Sequence, residues 1–480
     1  MFTSPNSSGT AIEDADDFER RVEISEKDGN NGSGRQEPIV LKGEEDAGYQ
    51  PAAATPIGSP PPDGGLRAWL VVVGAWCTSF CSFGWINSMY PPAFNTKKDN
   101  WRLTFVQKGV GVFQDYYQAT ILKEYSSSTV SWIPSLQIFF MLALGPIVGL
   151  IYDKYGPRWL IIGGTFLHVF GLMMTSISHD YYQILLSQGV CSAIGVSAIF
   201  QPALNSIATW FTTKRGAAYG LLATGSSLGG VIFPIMVSRL IDEVGFGWAM
   251  RISAFLILAL LIVAILTVKT HNPPKFQPIT VKRMVTPFTE VQFFCLAMGL
   301  LLFTFGLYTP INYISVEAAA AGMDPNLVLY LIPILNAGSL FGRVFSGYAG
   351  DKWGRYNVFV AVCYLAGIFV LGLWIPASST AARIAFATLF GFFSGAYVAL
   401  IAALVVQISP PSEIGFRTGL VFLASSFGGL TTSPISGAIV EKPIGWLGPK
   451  IFAGVFCIVG TTFVLAARIH RTGWKLRAVF

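Results

Sequence analysis

Charge is scarce in this chain. Only 12% of its 480 residues are charged, 52% are hydrophobic, and the mean hydropathy is +0.56. Soluble domains carry about 25% charged residues, so this shortage predicts a membrane protein. Apolar runs of about 20 residues recur between polar breaks, and each can cross roughly 30 Å of hydrocarbon as a helix.

Patterns typical of catalysis and metal binding are also missing. The chain has no phosphate-binding loop, so we do not expect it to drive transport by ATP hydrolysis. Its six cysteines have neither metal nor disulfide spacing and lie within apolar runs, at positions 77, 81, 191, 295, 363 and 457. The sequence therefore predicts no enzyme activity, no metal and no cofactor, and nothing in it indicates nucleic acid as a partner.

The charges that are present are unevenly distributed. Residues 1–62 hold 12 acidic and 5 basic residues, and they are rich in Gly, Ser and Pro. That composition predicts a disordered acidic tail, and the start lacks the pattern of a cleaved signal peptide. The remaining cations concentrate in alternate connections, which predicts that both termini face the cytosol.

Twelve transmembrane helices are predicted. Their approximate ranges are 67–88, 131–152, 159–177, 183–206, 216–238, 247–268, 288–310, 327–350, 356–376, 382–406, 416–440 and 447–468. A basic, proline-containing stretch at 269–287 is the predicted cytosolic linker between a first half, 63–268, and a second half, 288–468. Residues 469–480 are predicted to be a cytosolic tail.

The two predicted halves share an internal repeat. Asp153 and Asp351 lie 198 residues apart, each in a Gly-x-x-x-Asp-Lys-x-Gly pattern. A set of small residues recurs at an offset of 199, namely Gly216, Gly220, Ser226, Ser227, Gly229 and Gly230 against Gly415, Gly419, Ser425, Ser426, Gly428 and Gly429. Small residues allow close packing of helices in lipid, but packing alone does not explain a shared offset. The fold class expected is all-α, with two pseudo-symmetric halves of six helices.

These motifs resemble a known family. The two Asp-Lys loops are similar to the signature of the major facilitator superfamily between its second and third helices, and to its echo between helices eight and nine. Asp63-Gly-Gly-Leu-Arg-Ala-Trp69 and Trp210-Phe-Thr-Thr-Lys-Arg-Gly-Ala-Ala-Tyr-Gly220 resemble two motifs of the monocarboxylate transporter-like family, in its fungal branch. The resemblance covers about 60–470.

The resemblance implies candidate binding residues. In animal members, a lysine in helix one and an aspartate and arginine one turn apart in helix eight are tied to proton and carboxylate binding. Arg343 matches the arginine, whereas the aspartate falls on Ser339 and the lysine falls near Asn87. Anion attraction is thus implied, whereas two of the three ionisable groups of the proton circuit are absent. A proton is retained as a candidate coupling ion.

Arg343 is the only cation found deep inside a predicted span. An intramembrane cation marks a solute path by default; the alternative is a structural arginine bonded to nearby carbonyls. Other polar residues within the spans could line a cavity or hold helices together, and they are Asn87, Gln201, Asn205, Asn312, Tyr313, Asn336, Tyr397 and Gln407. The predicted binding residues are Arg343, Asn87, Asn336, Ser339, Tyr397 and Asn205.

Other charged groups have predicted structural roles. The two matched loops predict conformational contacts that hold the halves together in one state, made by Asp153, Lys154, Arg158, Asp351, Lys352 and Arg355. Solvated loop charges are the alternative for these six. For His168, in the third predicted helix, a packing role is favoured over a proton relay.

One stretch, about 89–110, departs from the family pattern. It contains Pro91, Pro92 and several charges, so it cannot continue an apolar helix. It is interpreted either as an outer loop or as translated intron from an imperfect gene model.

The function predicted is secondary active transport of a small organic solute, expected to be a monocarboxylate or a related anion, across the plasma membrane by alternating access. The alternatives are an exporter or importer of a neutral metabolite, flavin-like or a secondary metabolite, and a transporter-like solute sensor.

Overall fold

The computed structural model describes residues 61–87, 113, 116–271, 281–475 and 479–480, and the regular elements in these ranges are all helices. Twelve long helices follow one another: α1 Leu66–Gly84, α2 Trp132–Tyr155, α3 Arg158–Thr175, α4 Tyr181–Ile207, α5 215–244, α6 246–267, α7 Val291–Ala320, α8 Pro325–Trp353, α9 Arg355–Trp374, α10 Thr380–Ile408, α11 Ile414–Val440 and α12 Leu447–Thr472. Short helices cover Tyr117–Ile121, Ser127–Val130, Val281–Thr289 and Pro411–Glu413.

Within the described residues, ten helical stretches are long and apolar enough to cross a membrane. One of them, Arg215–Thr267, contains both α5 and α6, because the chain turns at Gly245, whose φ of 79° is left-handed. α11 is not among the ten, since glycine, serine and threonine dilute its apolar residues. It nevertheless spans 27 residues between two membrane helices, so the expected all-α fold of twelve spans in two six-helix halves is confirmed.

Two matched glycines end matched helices. Gly156 follows α2 with φ 77°, and Gly354 follows α8 with φ 93°. A left-handed backbone at this position favours glycine. The glycine after each Asp-Lys pair therefore lets the chain turn at once into the next helix.

The halves pack through two reciprocal helix pairs, α5 against α8 and α2 against α11. Each pair takes one helix from each half. The predicted boundaries of the halves stay predictions, as do the tails. Residues 1–60 and 476–478 lie outside the described residues, and so does the atypical stretch at 89–110.

The predicted linker, 269–287, stays a prediction. The helix Val281–Thr289 overlaps its second part, and residues 272–280 lie outside the described part. α7 was predicted to end at 310 but continues ten residues to Ala320, because the apolar run gives way there to alanine-rich sequence that still favours a helix.

Wider π-helical turns interrupt the first half where polar residues bond. α1 has one at Phe80–Gly84, where Cys81 directs its carbonyl to Nε2 of buried His168, 3.2 Å away. Because a carbonyl only accepts, Nε2 donates, and Nδ1, 2.9 Å from the Ser192 hydroxyl, accepts. These bonds support the packing role of His168.

Candidate functional site

A small cavity lies between the halves. Its volume is about 70 Å³. Five helices contribute to its lining, together with Asn87, which lies just after α1: Phe83 from α1, Ser226 from α5, Leu307, Tyr308 and Ile311 from α7, Ile332, Leu335, Asn336, Ser339 and Arg343 from α8, and Ser394 and Val398 from α10. Pockets for drug-sized molecules are about 300–1,000 Å³, so this conformation is closed around a space too small for such a solute.

Arg343 links the two halves at one end of the cavity. It is 5% exposed, and its Nε donates to the Ser339 hydroxyl at 3.0 Å. Its Nη1 donates to the carbonyl of Ala223 and to the hydroxyl of Ser226, both on α5. Among the described residues, the ion pairs do not include Arg343. The guanidinium therefore lines the cavity and bonds to a nearby carbonyl, and its role in solute binding stays a prediction.

Three other predicted binding residues line the same cavity. Asn87, Asn336 and Ser339 all face it. Gly230 of α5 separates the first two: a Cβ there would lie 3.1 Å from each amide nitrogen. A glycine at this position thus allows amides from opposite halves to approach the same point.

The remaining two predicted binding residues do not line the cavity. The Tyr397 hydroxyl lies 2.9 Å from that of Thr304 and donates to the Leu300 carbonyl at 3.2 Å, and its ring stacks on Phe303, so its contacts lie within the second half. Asn205 is 1% exposed on α4. Asn205 lies outside the cavity lining in this conformation, and its role in binding stays a prediction.

The α5–α8 crossing closes one end of the molecule. The Asp351 carboxylate accepts from the backbone N–H groups of Gly216 and Ala217, at 2.8 Å each, at the start of α5. A carboxylate at a helix N-terminus satisfies free N–H groups and interacts favourably with the helix dipole. Arg355 pairs with Asp351 at 2.8 Å and donates to the Thr212 carbonyl at 2.8 Å.

The α2–α11 crossing repeats this arrangement. Asp153 accepts from the backbone N–H groups of Gly415 at 3.0 Å and Phe416 at 2.9 Å, at the start of α11. Each aspartate therefore caps a helix of the opposite half. The two aspartates thus connect the halves in this conformation, and their predicted conformational role stays a prediction.

The other three predicted gating residues are exposed. Lys154, Arg158 and Lys352 lie on the surface at the same end, and Lys154 lies over the Tyr155 ring. The exposure of Arg158 and Lys352 favours solvated charges for these two residues. The described contacts between halves are made by the two aspartates and Arg355.

Asp63 connects the two family-like motifs. Its carboxylate accepts from the Thr212 hydroxyl and from the backbone N–H groups of Thr212 at 2.5 Å and Thr213 at 2.8 Å. Burial alone would raise the pKa of this carboxyl, but these hydrogen bonds outweigh burial and hold the pKa below its usual value. Because Arg355 binds the Thr212 carbonyl, Asp63 supports the loop that the α5–α8 crossing uses.

Sequence reasoning missed a buried charge cluster. Arg383 at the start of α10 and Lys450 at the start of α12 are each 6% exposed, so Arg343 is not the only buried cation. Both contact Glu317, at 3.2 Å and 3.0 Å, and Lys450 also donates to the Trp374 carbonyl. The cluster joins α7, α9, α10 and α12 within the second half. The sequence feature that could have indicated this cluster is the alanine-rich extension of α7 beyond residue 310, which carries Glu317.

A sequence model described as "Major Facilitator Superfamily" matches residues 72–383 and 322–478. The chain is 59% identical over 418 residues to "MFS transporter asaE" of Aspergillus flavus, covering 87% of this chain and 90% of that protein. It is 50% identical over 422 residues to the "Fujikurins efflux protein" of Gibberella fujikuroi, covering 88% and 86%.

The fold also matches a solved structure. The fucose:proton symporter FucP of E. coli superposes with a TM-score of 0.63 at 14% identity, over 84% of this chain and 99% of that one. At this identity, the match concerns the fold alone.

Proposed function

This chain belongs to the major facilitator superfamily, and we propose that it exports an organic secondary metabolite by alternating access. The observation that carries the proposal is its 50% identity, over most of both chains, to a protein named for the efflux of fujikurins. That name favours the metabolite exporter, one of the alternatives from the sequence, over a monocarboxylate transporter. The cation distribution further supports both termini in the cytosol, and we propose the plasma membrane as the location.

The small cavity supports an alternating mechanism. A volume of about 70 Å³ cannot hold a metabolite of ordinary size. The α5–α8 and α2–α11 crossings must therefore part to admit the solute, and they must re-form as the solute leaves on the other side of the membrane. Capping aspartates suit this cycle, since a backbone N–H group released from Asp153 or Asp351 becomes accessible to water at the surface.

Arg343 favours a solute with an acidic or strongly accepting oxygen. A guanidinium forms two parallel bonds to a carboxylate, and lysine cannot copy that fork. A solute oxygen could replace the Ala223 carbonyl and Ser226 hydroxyl as acceptors for Nη1, which would free α5 from α8. Arg343 would then both bind the solute and release the α5–α8 crossing. The preference for an anion, which the sequence predicts, would then apply to the exported metabolite.

Coupling to protons remains a prediction. Among the described lining residues of the cavity, none is a carboxylate or a histidine. A coupled proton would therefore be carried by a group outside that lining.

The first test is metabolite release from cells that carry or lack the gene. Untargeted mass spectrometry of medium and cells should identify a metabolite that leaves the cells only when the gene is present. Arg343→Gln should lower its release by about tenfold or more, since a bond to a charged group contributes roughly 1.5–3 kcal/mol. Arg343→Lys should fall between Arg343→Gln and the wild type.

The matched control is Arg239→Gln, which removes an exposed arginine from α5. It should release the metabolite at the wild-type rate. Wild-type release by both Arg343 variants at equal abundance would contradict a solute-binding Arg343. Purified protein in vesicles separates export from sensing: a sensor would move none of the identified metabolite.

A further inference from the structure

Two amide side chains on α4 stand out because they are buried without partners. Gln201 is 0% exposed and Asn205 is 1% exposed. Neither the nitrogen nor the oxygen of either amide has a hydrogen-bond partner in the described structure. The two residues are four apart, so they lie on one face of the helix, one turn from each other.

Such a pair requires an explanation. Roughly 90% or more of buried polar groups in proteins have a partner, and an unpartnered amide in a dry site is costly. Some other buried amides in this chain do bond: Asn312 donates to the Ser433 hydroxyl at 2.7 Å, and Gln188 accepts from the Tyr117 hydroxyl at 2.6 Å. Gln137 of α2, which is 0% exposed, also has neither amide atom bonded. The α4 pair differs from Gln137 in that two such amides share one face of one helix.

The pair lies at the α2–α11 crossing. A Cβ on Gly145 would lie 3.0 Å from Nε2 of Gln201 and 2.6 Å from the Gly419 carbonyl oxygen, so that amide is adjacent to the point where α2 and α11 touch. Phe200, the neighbour of Gln201, contacts both Phe83 of the cavity lining and Phe422 of α11. The crossing thus covers Gln201, and Asn205 lies one turn away on the same face of α4. Phe200 connects this part of α4 to the cavity lining.

We propose that Gln201 and Asn205 bind the solute in the conformation in which α2 and α11 have parted. An amide offers a donor and an acceptor without charge, so the groups it would recognise are neutral carbonyl and hydroxyl oxygens. Arg343 would hold an acidic or strongly accepting end of the solute, and the α4 pair would hold its neutral polar part. This inference rests on the proposed export function and extends its site into the first half.

Accessibility of the pair to a thiol reagent tests the position. Asn205→Cys and Gln201→Cys are made in a variant lacking the six native cysteines and treated with 2-(trimethylammonium)ethyl methanethiosulfonate. Asp153→Asn, which weakens the α11 cap, should raise their labelling rate by about fivefold to tenfold. Asp351→Asn, which weakens the other crossing, should raise it less.

Ala203→Cys is the matched control, since Ala203 is 0% exposed and lies between the two amides in sequence, on another face of α4. Its labelling should stay slow in every background. Equal labelling at 203 and 205, or no increase at 201 and 205 with Asp153→Asn, would overturn the proposal.

Apolar replacements test binding against a structural role. Gln201→Met and Asn205→Leu remove the unpartnered groups, so the melting temperature of the purified protein should hold or rise while metabolite release per molecule falls severalfold. If buried water bonds these amides for structure alone, the melting temperature falls and release per folded molecule is unchanged. That outcome overturns the proposal, yet leaves export by the wild type intact.

Failure of export itself gives a different pattern. If the wild type releases no metabolite, the proposed function falls and the solute-binding role falls with it, whatever the labelling shows. If the wild type exports and the apolar variants export equally well, only the role of the α4 pair is rejected.

Discussion

The two crossings between the halves are related by the repeat but are built differently. At α2–α11, Gly145 and Gly149 lie against Gly419 and Gly415. At α5–α8, glycines again meet, but Arg343 occupies the position that the 198-residue offset assigns to Gly145. Closure is thus common to both crossings, because each uses an aspartate cap and a glycine contact. The charged group that faces the solute cavity belongs to one crossing only.

The backbones also approach to different extents. A Cβ on Gly149 would lie 2.1 Å from the Gly415 carbonyl oxygen, whereas a Cβ on Gly347 would lie 2.5 Å from that of Gly216. The α2–α11 crossing is therefore tighter and depends on steric fit. The α5–α8 crossing adds polar bonds from Arg343 and Arg355.

The largest effect is expected from a methyl group at the tighter crossing. Gly149→Ala forces backbone apart from backbone, and overpacking of this kind costs about 1–3 kcal/mol. The closed conformation should lose population by roughly tenfold or more. Spin labels at exposed Tyr155 and Trp353, one on each half, should report a longer distance.

Two controls accompany this prediction. Gly347→Ala should lengthen the same distance less, and Gly163→Ala on α3 should leave it unchanged, since a Cβ at Gly163 meets nothing within 4 Å. If Gly347→Ala lengthened the distance between the spin labels more than Gly149→Ala does, the polar bonds at α5–α8 would not compensate for its looser packing.

The sequence predicted the residues at the two crossings better than it predicted the residues that line the cavity. Apolar periodicity located the helices, and the repeated Asp-Lys loops identified Asp153, Asp351 and Arg355, because helix termini and left-handed turns demand particular residue types locally. Which polar residues face the cavity depends on helix rotation and crossing, which no local pattern determines. Asn87 and Asn336 lie there, whereas Tyr397 bonds within its own half.

Long-range contacts were also beyond the sequence. Glu317, Arg383 and Lys450 are separated by 66 and 67 residues along the chain, and only the packing of α7, α10 and α12 brings them together. The unpartnered Gln201 is a similar case, because its significance depends on having no neighbour that bonds to it.

A smaller effect is expected from the ion pair at α5–α8. Arg355→Gln removes the bond to Asp351 and the bond to the Thr212 carbonyl. The side chains of Arg355 and Asp351 are only 13% and 14% exposed. We expect the closed conformation to lose about 1 kcal/mol. The matching position at the other crossing, Pro157, carries no charge, so this term belongs to α5–α8 alone.

A double-mutant cycle isolates the pair. Asp351→Asn, Arg355→Gln and the double variant are compared by the distance between the spin labels at 155 and 353. The double variant should open less than the sum of the single variants. Additive effects would mean that Arg355 acts through the Thr212 carbonyl and not through Asp351.

The smallest effect is expected at Asp63, which reaches the α5–α8 crossing only through the loop that Arg355 binds. Asp63→Asn loses charge-assisted acceptance from Thr212 and Thr213, so the melting temperature should fall by an amount equivalent to roughly 0.5–1 kcal/mol.

The folded-state pKa of Asp63 lies below its usual value, about 3.9. Its contribution is therefore complete above about pH 4 and is lost as the pH falls through the lower folded-state pKa. The difference in melting temperature between wild type and Asp63→Asn should be constant from pH 8 to pH 5 and should narrow in more acidic buffer. A difference that already narrows between pH 7 and pH 5 would contradict this assignment, because it would require a group with a raised pKa. If Asp63→Asn also loosened α2–α11, measured by labelling at Asn205→Cys, the two crossings would be coupled through the loop rather than independent.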